Sequence, residues 1–206
     1  MGFYVDQVVP RAIGVVCGSR FFDPWRHRVC QGLAGDVLEI GFGSGANVRH
    51  YPPAVERVVA VEPAGVARQR AASNISQARC LVTLIDPTRG SLPLGDESFD
   101  AALCTFTLCS VDDPGAVLAE ILRILTPGGS LHFLEHGLSP DCATASWQHR
   151  LNGFEQRLAG GCQLIREPLA LVGDAGFDVQ WSEQAYARGP KPWSFFTVGV
   201  AIKPVP

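Results

Sequence analysis

Glu39-Ile-Gly41-Phe-Gly43-Ser-Gly45-Ala-Asn47 is the string in this chain most suited to chemistry. Three glycines at alternate positions directly after an apolar run let the backbone turn sharply and approach a ligand closely. A helix N-terminus following such a loop offers unpaired N–H groups. Gly41, Gly43 and Ala46 also satisfy a loose G-x-G-x-x-G/A dinucleotide pattern, so the loop alone implies only a nucleotide-like ligand. Glu39 narrows the choice, because its carboxylate suits an ammonium group and would repel a pyrophosphate. Glu62 closes a second apolar run and suits a pair of ribose hydroxyls, which both ligand classes carry.

His136 follows a later apolar run, at the sheet edge where an acceptor must sit, and is the best candidate for a general base. A histidine that merely ends a strand is the alternative, and His149 is a second option. Glu135 can orient His136 or bond to the N-terminal segment. Cys109 is expected as a wall residue rather than a nucleophile. Arg11, Arg26 and Arg166 are candidates for steering an anionic acceptor, with a structural role as the alternative for each.

These residues need a scaffold, and short apolar runs supply it. Residues 36–40, 57–61, 80–85, 99–104 and 130–134 are strand candidates whose continuous Val/Ile/Leu content implies cover on both faces. Between the last two, a helix is expected over 114–125. Asp113 is its N-cap, Pro114 its first position, and Val117, Leu118, Ile121, Leu122 and Leu125 form one face. Thr126-Pro-Gly-Gly129 should end it. A further helix is expected over 167–174, with Gly176 just past its end. Strands 177–181 and 193–202 share a Pro/Gly-rich loop and should pair antiparallel. Five βα units followed by a hairpin imply one α/β domain, 1–206, with an open, doubly wound sheet. Segments 1–33 and 137–166 break the alternation and carry aromatics. They are candidate covers for the carboxyl edge of the sheet, 1–33 as an N-terminal lid and 137–166 as an acceptor-side insertion.

Composition excludes several partners. The 206 residues carry a net charge of −3, with 47% hydrophobic and 18% charged residues. No basic run exists to bind nucleic acid. The apolar stretch at 8–16 is broken by Pro10 and Arg11 and follows no positively charged region, so neither an export signal nor an integral membrane segment is expected. Seven cysteines without a Cys-x-x-Cys pair imply reduced thiols in a cytoplasmic protein without a metal site. Oligomeric state is left open.

Residues 36–136 resemble the class I S-adenosylmethionine (SAM) methyltransferases. The glycine string is similar to their first motif, and Pro93-Leu-Gly-Asp-Glu-Ser-Phe-Asp100 and Arg123-Ile-Leu-Thr-Pro-Gly-Gly129 are similar to later ones. Within that family the chain resembles the thiol S-methyltransferase branch. Gly43-Ser-Gly-Ala-Asn47 with Tyr51-Pro-Pro53 carries this, as do Cys104-Thr-Phe-Thr-Leu-Cys-Ser-Val111, Glu135-His136 and Gly161-Cys-Gln-Leu-Ile-Arg-Glu167. The resemblance implies a Rossmann-like, mostly parallel seven-stranded sheet with an antiparallel last strand. It also implies SAM as cofactor and a small-molecule acceptor, a thiol first. A phenol or quinol O-methyltransferase, and a non-catalytic SAM-binding module acting through a protein partner, are the alternatives. Gly41, Phe42, Gly43 and Gly45 would pass under the methionine part of SAM, with Glu39 nearby. Glu62 would take the ribose hydroxyls, Pro63 would lie along the adenine, and Thr105 and Phe106 would line the methyl side. The family's acid for the adenine amine has no match at Thr88-Arg89, so Asp86, or a backbone group, would serve. Membrane-attached relatives carry an N-terminal hydrophobic anchor that is not expected here. A thiol of pKa about 8.5 is partly ionised near neutrality, whereas a phenol of pKa about 10 needs a positioned base.

Overall fold

Val37 and Leu38 are adjacent in sequence and both fully buried, yet they belong to opposite faces of one sheet. Alternation along a strand produces this, and it requires cover on both sides. The computed structural model describes residues 17–87 and 92–205, and within them seven strands form one sheet. They are β1 (Gly35–Ile40), β2 (Val55–Val61), β3 (Leu81–Ile85), β4 (Phe99–Thr105), β5 (Leu125–His136), β6 (Asp178–Tyr186) and β7 (Phe195–Ile202). Their spatial order is β3-β2-β1-β4-β5-β7-β6. β7 runs antiparallel to both neighbours, and the pairs among β1 to β5 are parallel. The doubly wound, Rossmann-like sheet with an antiparallel last strand is therefore as expected. The order reverses beside β1, which opens a crevice at the carboxyl ends of β1 and β4.

The expected helix over 114–125 is α3 (Pro114–Ile124). Its N-cap Asp113 accepts the Ala116 N–H at 2.9 Å, and Leu118, Ile121 and Ile124 are fully buried against one face of the sheet. The opposite face is covered by α1 (Asp23–Cys30), through Val29 and Cys30, and by α2 (Gly65–Ile75), through Ala71. The second expected helix is α5 (Pro168–Asp174), with Gly176 at φ +95° just beyond it.

Three expectations need correction. Five βα units were expected, but β1 and β2 are joined by an irregular loop with a single 3₁₀ turn, Val48–His50, so no α-helix follows the glycine string. The glycines of that loop take left-handed backbone angles and Pro52-Pro53 comes soon after, leaving only 46–51, too short a run to nucleate a helix. Nor does a helix join β3 to β4 among the described residues. β3 is not covered on both faces either: it is an edge strand, and Leu81 is 66% exposed. Segment 137–166, which gave no helical expectation, contains the longest described helix, α4 (Cys142–Leu158), capped by Asp141 accepting from the Thr144 N–H. A short α6 (Lys191–Ser194) precedes β7. No helix among the described residues is long and apolar enough to cross a membrane. Arg11 and Thr88-Arg89 lie outside the described residues.

Candidate cofactor and acceptor site

A cavity of about 950 Å³ opens at the carboxyl ends of β1, β2 and β4. That size reaches the upper end of small-molecule sites, roughly 300–1,000 Å³. Gly41, Phe42 and Gly43 form one wall, Glu62 and Pro63 a second, and Thr105, Phe106 and Thr107 a third. Cys17, Gly18 and Arg26 close it from the N-terminal side, and Gln156, Arg157, Gly160 and Gly161 from the 137–166 side. Both segments expected to cover the sheet edge thus supply walls.

The glycines of the loop serve different ends. At Gly41, φ is +74° and a Cβ would fall 1.9 Å from Thr107 Oγ1, so the residue makes room for the loop after β4. At Gly43, φ is +58° and the nearest atom to an added Cβ is 4.0 Å away, so this glycine faces open space on the cavity side. The Gly43 N–H donates to Glu62 Oε2 at 2.7 Å, and Glu62 Oε1 accepts the Ala64 N–H at 2.8 Å. Each carboxylate oxygen has a second lone pair, so Glu62 keeps capacity for two further donors. Gly45 turns away from the cavity, against the Phe42 ring.

Beneath the loop lies a buried polar network. Asn47 Nδ2 donates to Glu39 Oε1 at 2.9 Å, and the Tyr51 hydroxyl donates to Glu39 Oε2. Arg26 Nη1 donates to Asn47 Oδ1 at 2.5 Å and to Thr105 Oγ1 at 3.2 Å, while Nη2 donates to the Cys17 carbonyl at 2.7 Å. Burial pushes the Glu39 carboxyl up to about 7, against the lowering effect of Tyr51 and Asn47. Glu39 therefore holds the loop from below and is not part of the cavity wall. Arg26 does reach the wall, is 4% exposed, and has a buried Nε with no hydrogen-bond partner. An unpaired buried donor is costly, and a bound anion would relieve it.

Asp86 is also outside the cavity: it pairs with Arg68 at 2.8 Å and is largely exposed. His136 ends β5 opposite Phe196, its ring packing 5.6 Å from that residue's, and the structure does not bring it to the cavity. Glu135 orients a loop rather than the histidine. It accepts the Thr107 N–H at 2.9 Å and the Cys109 N–H at 3.1 Å. Cys109 is buried, and Arg166 donates to the Leu108 carbonyl, a structural role. Phe106 adopts φ +54°, a left-handed angle rare for an aromatic, and its ring lies 5.4 Å from the Arg26 guanidinium. Sequence reasoning assigned no role to Asn47, Tyr51 or Thr107. Their signal was only their place in the motif strings.

A doubly wound sheet with a glycine loop, an acid at the end of β2 and a deep cavity at the switch point defines an enzyme class that binds a nucleoside-bearing cofactor. A family model described as a methyltransferase domain matches residues 38–133. Thiol S-methyltransferase TMT1B of Homo sapiens is 34% identical over 177 residues, covering 83% of this chain and 70% of that protein. The demethylmenaquinone methyltransferase of Tropheryma whipplei is 32% identical over 111 residues, covering 52% of this chain and 46% of that one. Among solved structures, phosphoethanolamine N-methyltransferase 2 of Haemonchus contortus, in complex with SAM, superposes with a TM-score of 0.72 at 12% identity. It covers 98% of this chain and 59% of that one. The chain belongs to the SAM-dependent methyltransferases, and SAM is its cofactor. The residues present fit that cofactor, through the spare capacity of Glu62, the open face of Gly43 and the orphaned Arg26 Nε.

Proposed function

We propose that the enzyme methylates the sulfur of small thiols. One observation carries this: the cavity offers an acceptor no free base. Among the described residues, no histidine lines it, and its two carboxylates are engaged. Glu62 is held between backbone donors, and Glu120 accepts the Leu92 N–H and pairs with Arg123. A nucleophile must therefore arrive substantially ionised, which a thiol of pKa about 8.5 does far better than a phenol of pKa about 10. Similarity to thiol S-methyltransferases supports the same acceptor class.

When bound, SAM supplies a methyl group already activated on a sulfonium. In the proposed arrangement Glu62 accepts the ribose hydroxyls, and the loop at Gly41 to Gly43, with Phe42, runs along the methionine part. Arg26 Nε donates to the methionine carboxylate. Pro63 flanks the adenine, and Asp86 is too exposed and too committed to Arg68 to be assigned its amine. Thr105 and Phe106 form the wall beside the methyl. The apolar surround excludes water and fixes the line of attack, and such positioning can supply about 7–11 kcal/mol of the barrier.

The test is S-adenosylhomocysteine release with alkyl thiols, phenols and quinols across pH. Thiols should turn over, with kcat/KM rising with pH until it levels at each thiol's own pKa. Turnover of phenols alone, or of no acceptor despite SAM binding, would overturn the proposal.

A further inference from the structure

Methyl transfer leaves unused a group of sulfur atoms behind one wall of the cavity. Cys109, in the loop after β4, is buried, and Cys162, in the turn after α4, is half-buried. Their thiols lie near enough for each to shift the other's ionisation. The main chains beside them are tied as well, because the Gln163 N–H donates to the Cys109 carbonyl at 2.7 Å. Gly161, at φ +90°, sits so close to Ser110 that a Cβ would stand 2.7 Å from the Ser110 carbonyl oxygen. Only a glycine lets the turn press this tightly onto the 109–110 segment.

A third group completes the cluster. His136 is 5% exposed, and both of its ring nitrogens are buried without a hydrogen-bond partner. Its imidazole lies close enough to Cys162 to favour the thiolate there. The neighbouring Cys109 thiol and imidazole hold the Cys162 thiol below the usual range, whereas Cys109 is pushed up by its Cys162 neighbour and by burial. Cys17, lining the cavity nearby, is pushed up to about 11 by burial. One thiol is thus set to attack and its neighbour to resolve.

We propose that Cys162 and Cys109 are a redox-active pair that reduces small organic disulfides and closes into an intramolecular disulfide. The Cys162 sulfur attacks one sulfur of RSSR, forming Cys162–S–S–R. The S–S bond of the reagent breaks, and the departing thiolate takes up the proton that Cys162 gives up. Cys109 then attacks the Cys162 sulfur, its proton leaving with the second thiolate. Two protein thiols are oxidised and one RSSR is reduced to two RSH. The new bond would join the loop that holds Thr107, Ser110 and Val111 to the turn that holds Gly160 and Gly161, two walls of the cavity. This chemistry goes beyond methyl transfer, and its test does not depend on the acceptor.

The fully reduced chain is treated with bis(2-hydroxyethyl) disulfide, alkylated, digested without reductant and mapped by mass spectrometry. A linked peptide pair carrying Cys109 and Cys162 should appear, dithiothreitol should restore both thiols, and Cys162 should be consumed about tenfold faster than the exposed Cys142. Cys109→Ser should instead accumulate the Cys162 mixed disulfide. Free Cys162 in chains already modified at Cys142, or linkage of Cys162 to Cys17, would overturn the proposal. The decisive mapping uses the unaltered chain, so the result does not depend on how any variant folds.

Discussion

Thr107 Oγ1 occupies the space that a side chain on Gly41 would need, 1.9 Å from the position of its Cβ. The same hydroxyl lies 3.2 Å from the carbonyls of Ile40 and Thr105, so it stitches the ends of β1 and β4 together at the cavity mouth. Gly41→Ala should therefore destabilise twice, through a clash of about 1–3 kcal/mol and a left-handed backbone penalty of about 1–2 kcal/mol. Adding Thr107→Ala removes the hydroxyl and methyl but leaves the 107 Cβ 2.9 Å away, so it should recover part of the clash and leave the backbone penalty. Urea unfolding of both single variants and the double variant measures this as a coupling free energy. Purely additive effects would show that the contact is slack.

Glu62 connects cofactor to loop, because the carboxylate proposed to take ribose also holds the Gly43 N–H. Glu62→Gln keeps one acceptor oxygen and should weaken SAM binding by about tenfold, in line with the loss of a charge-assisted bond worth roughly 1.5 kcal/mol beyond a neutral one. Glu62→Ala should weaken it further and loosen the loop. Calorimetric titration with SAM reads the affinities, and hydrogen exchange at residues 41–44 reads the loop. Unchanged affinity in both variants would remove Glu62 from the site.

Arg26 offers a sharper discrimination. If its orphaned Nε meets the methionine carboxylate, Arg26→Lys should weaken S-adenosylhomocysteine binding by about tenfold or more, because lysine cannot serve Asn47, Thr105, Cys17 and an anion from one planar fork. Binding of 5′-methylthioadenosine, which lacks the carboxylate, should change little. Equal losses for both ligands would indicate that the substitution acts through the loop alone.

The parts of this molecule visible in sequence are those with a local cause. Asp113-Pro114 and the spacing of Leu118 and Ile121 mark α3, though Leu125, expected on the same face, starts β5; runs such as Val58 to Val61 mark their strands, since capping and burial are written in neighbouring residues. Loop 41–54 looked like a helix start because alternate glycines also open helices in dinucleotide folds. Its actual shape depends on Thr107, distant in sequence, filling the place beside Gly41. Glu39 illustrates the same limit. Its charge suggested a ligand contact, but Tyr51 and Asn47 reach it first. His136 stood at the correct edge of the sheet, yet pairing of β5 with β7 set its ring against Phe196. In each case a residue from another loop or strand decides which way a side chain faces.

The Glu39 cluster should leave a signature in stability against pH. Burial raises its folded carboxyl from the ordinary 4.5 to about 7, so the folded state binds this proton more tightly than the unfolded chain. Below about pH 4.5 the group is protonated in both states and costs nothing. Stability falls as pH rises from there to about 7, where the folded group ionises too, and the full loss is about 3 kcal/mol. His132 works in the opposite sense, since burial holds its imidazole below the usual range and its contribution is lost as pH falls. Glu39→Gln keeps an acceptor for Asn47 and can donate to Tyr51, but it does not titrate. Subtracting its unfolding free energy from that of the wild type cancels His132 and isolates Glu39. The difference should decline by about 3 kcal/mol between pH 4.5 and 7.5 and stay level above that. A difference flat across the whole range would mean that Glu39 is ionised throughout and that Arg26, Asn47 and Tyr51 outweigh its burial.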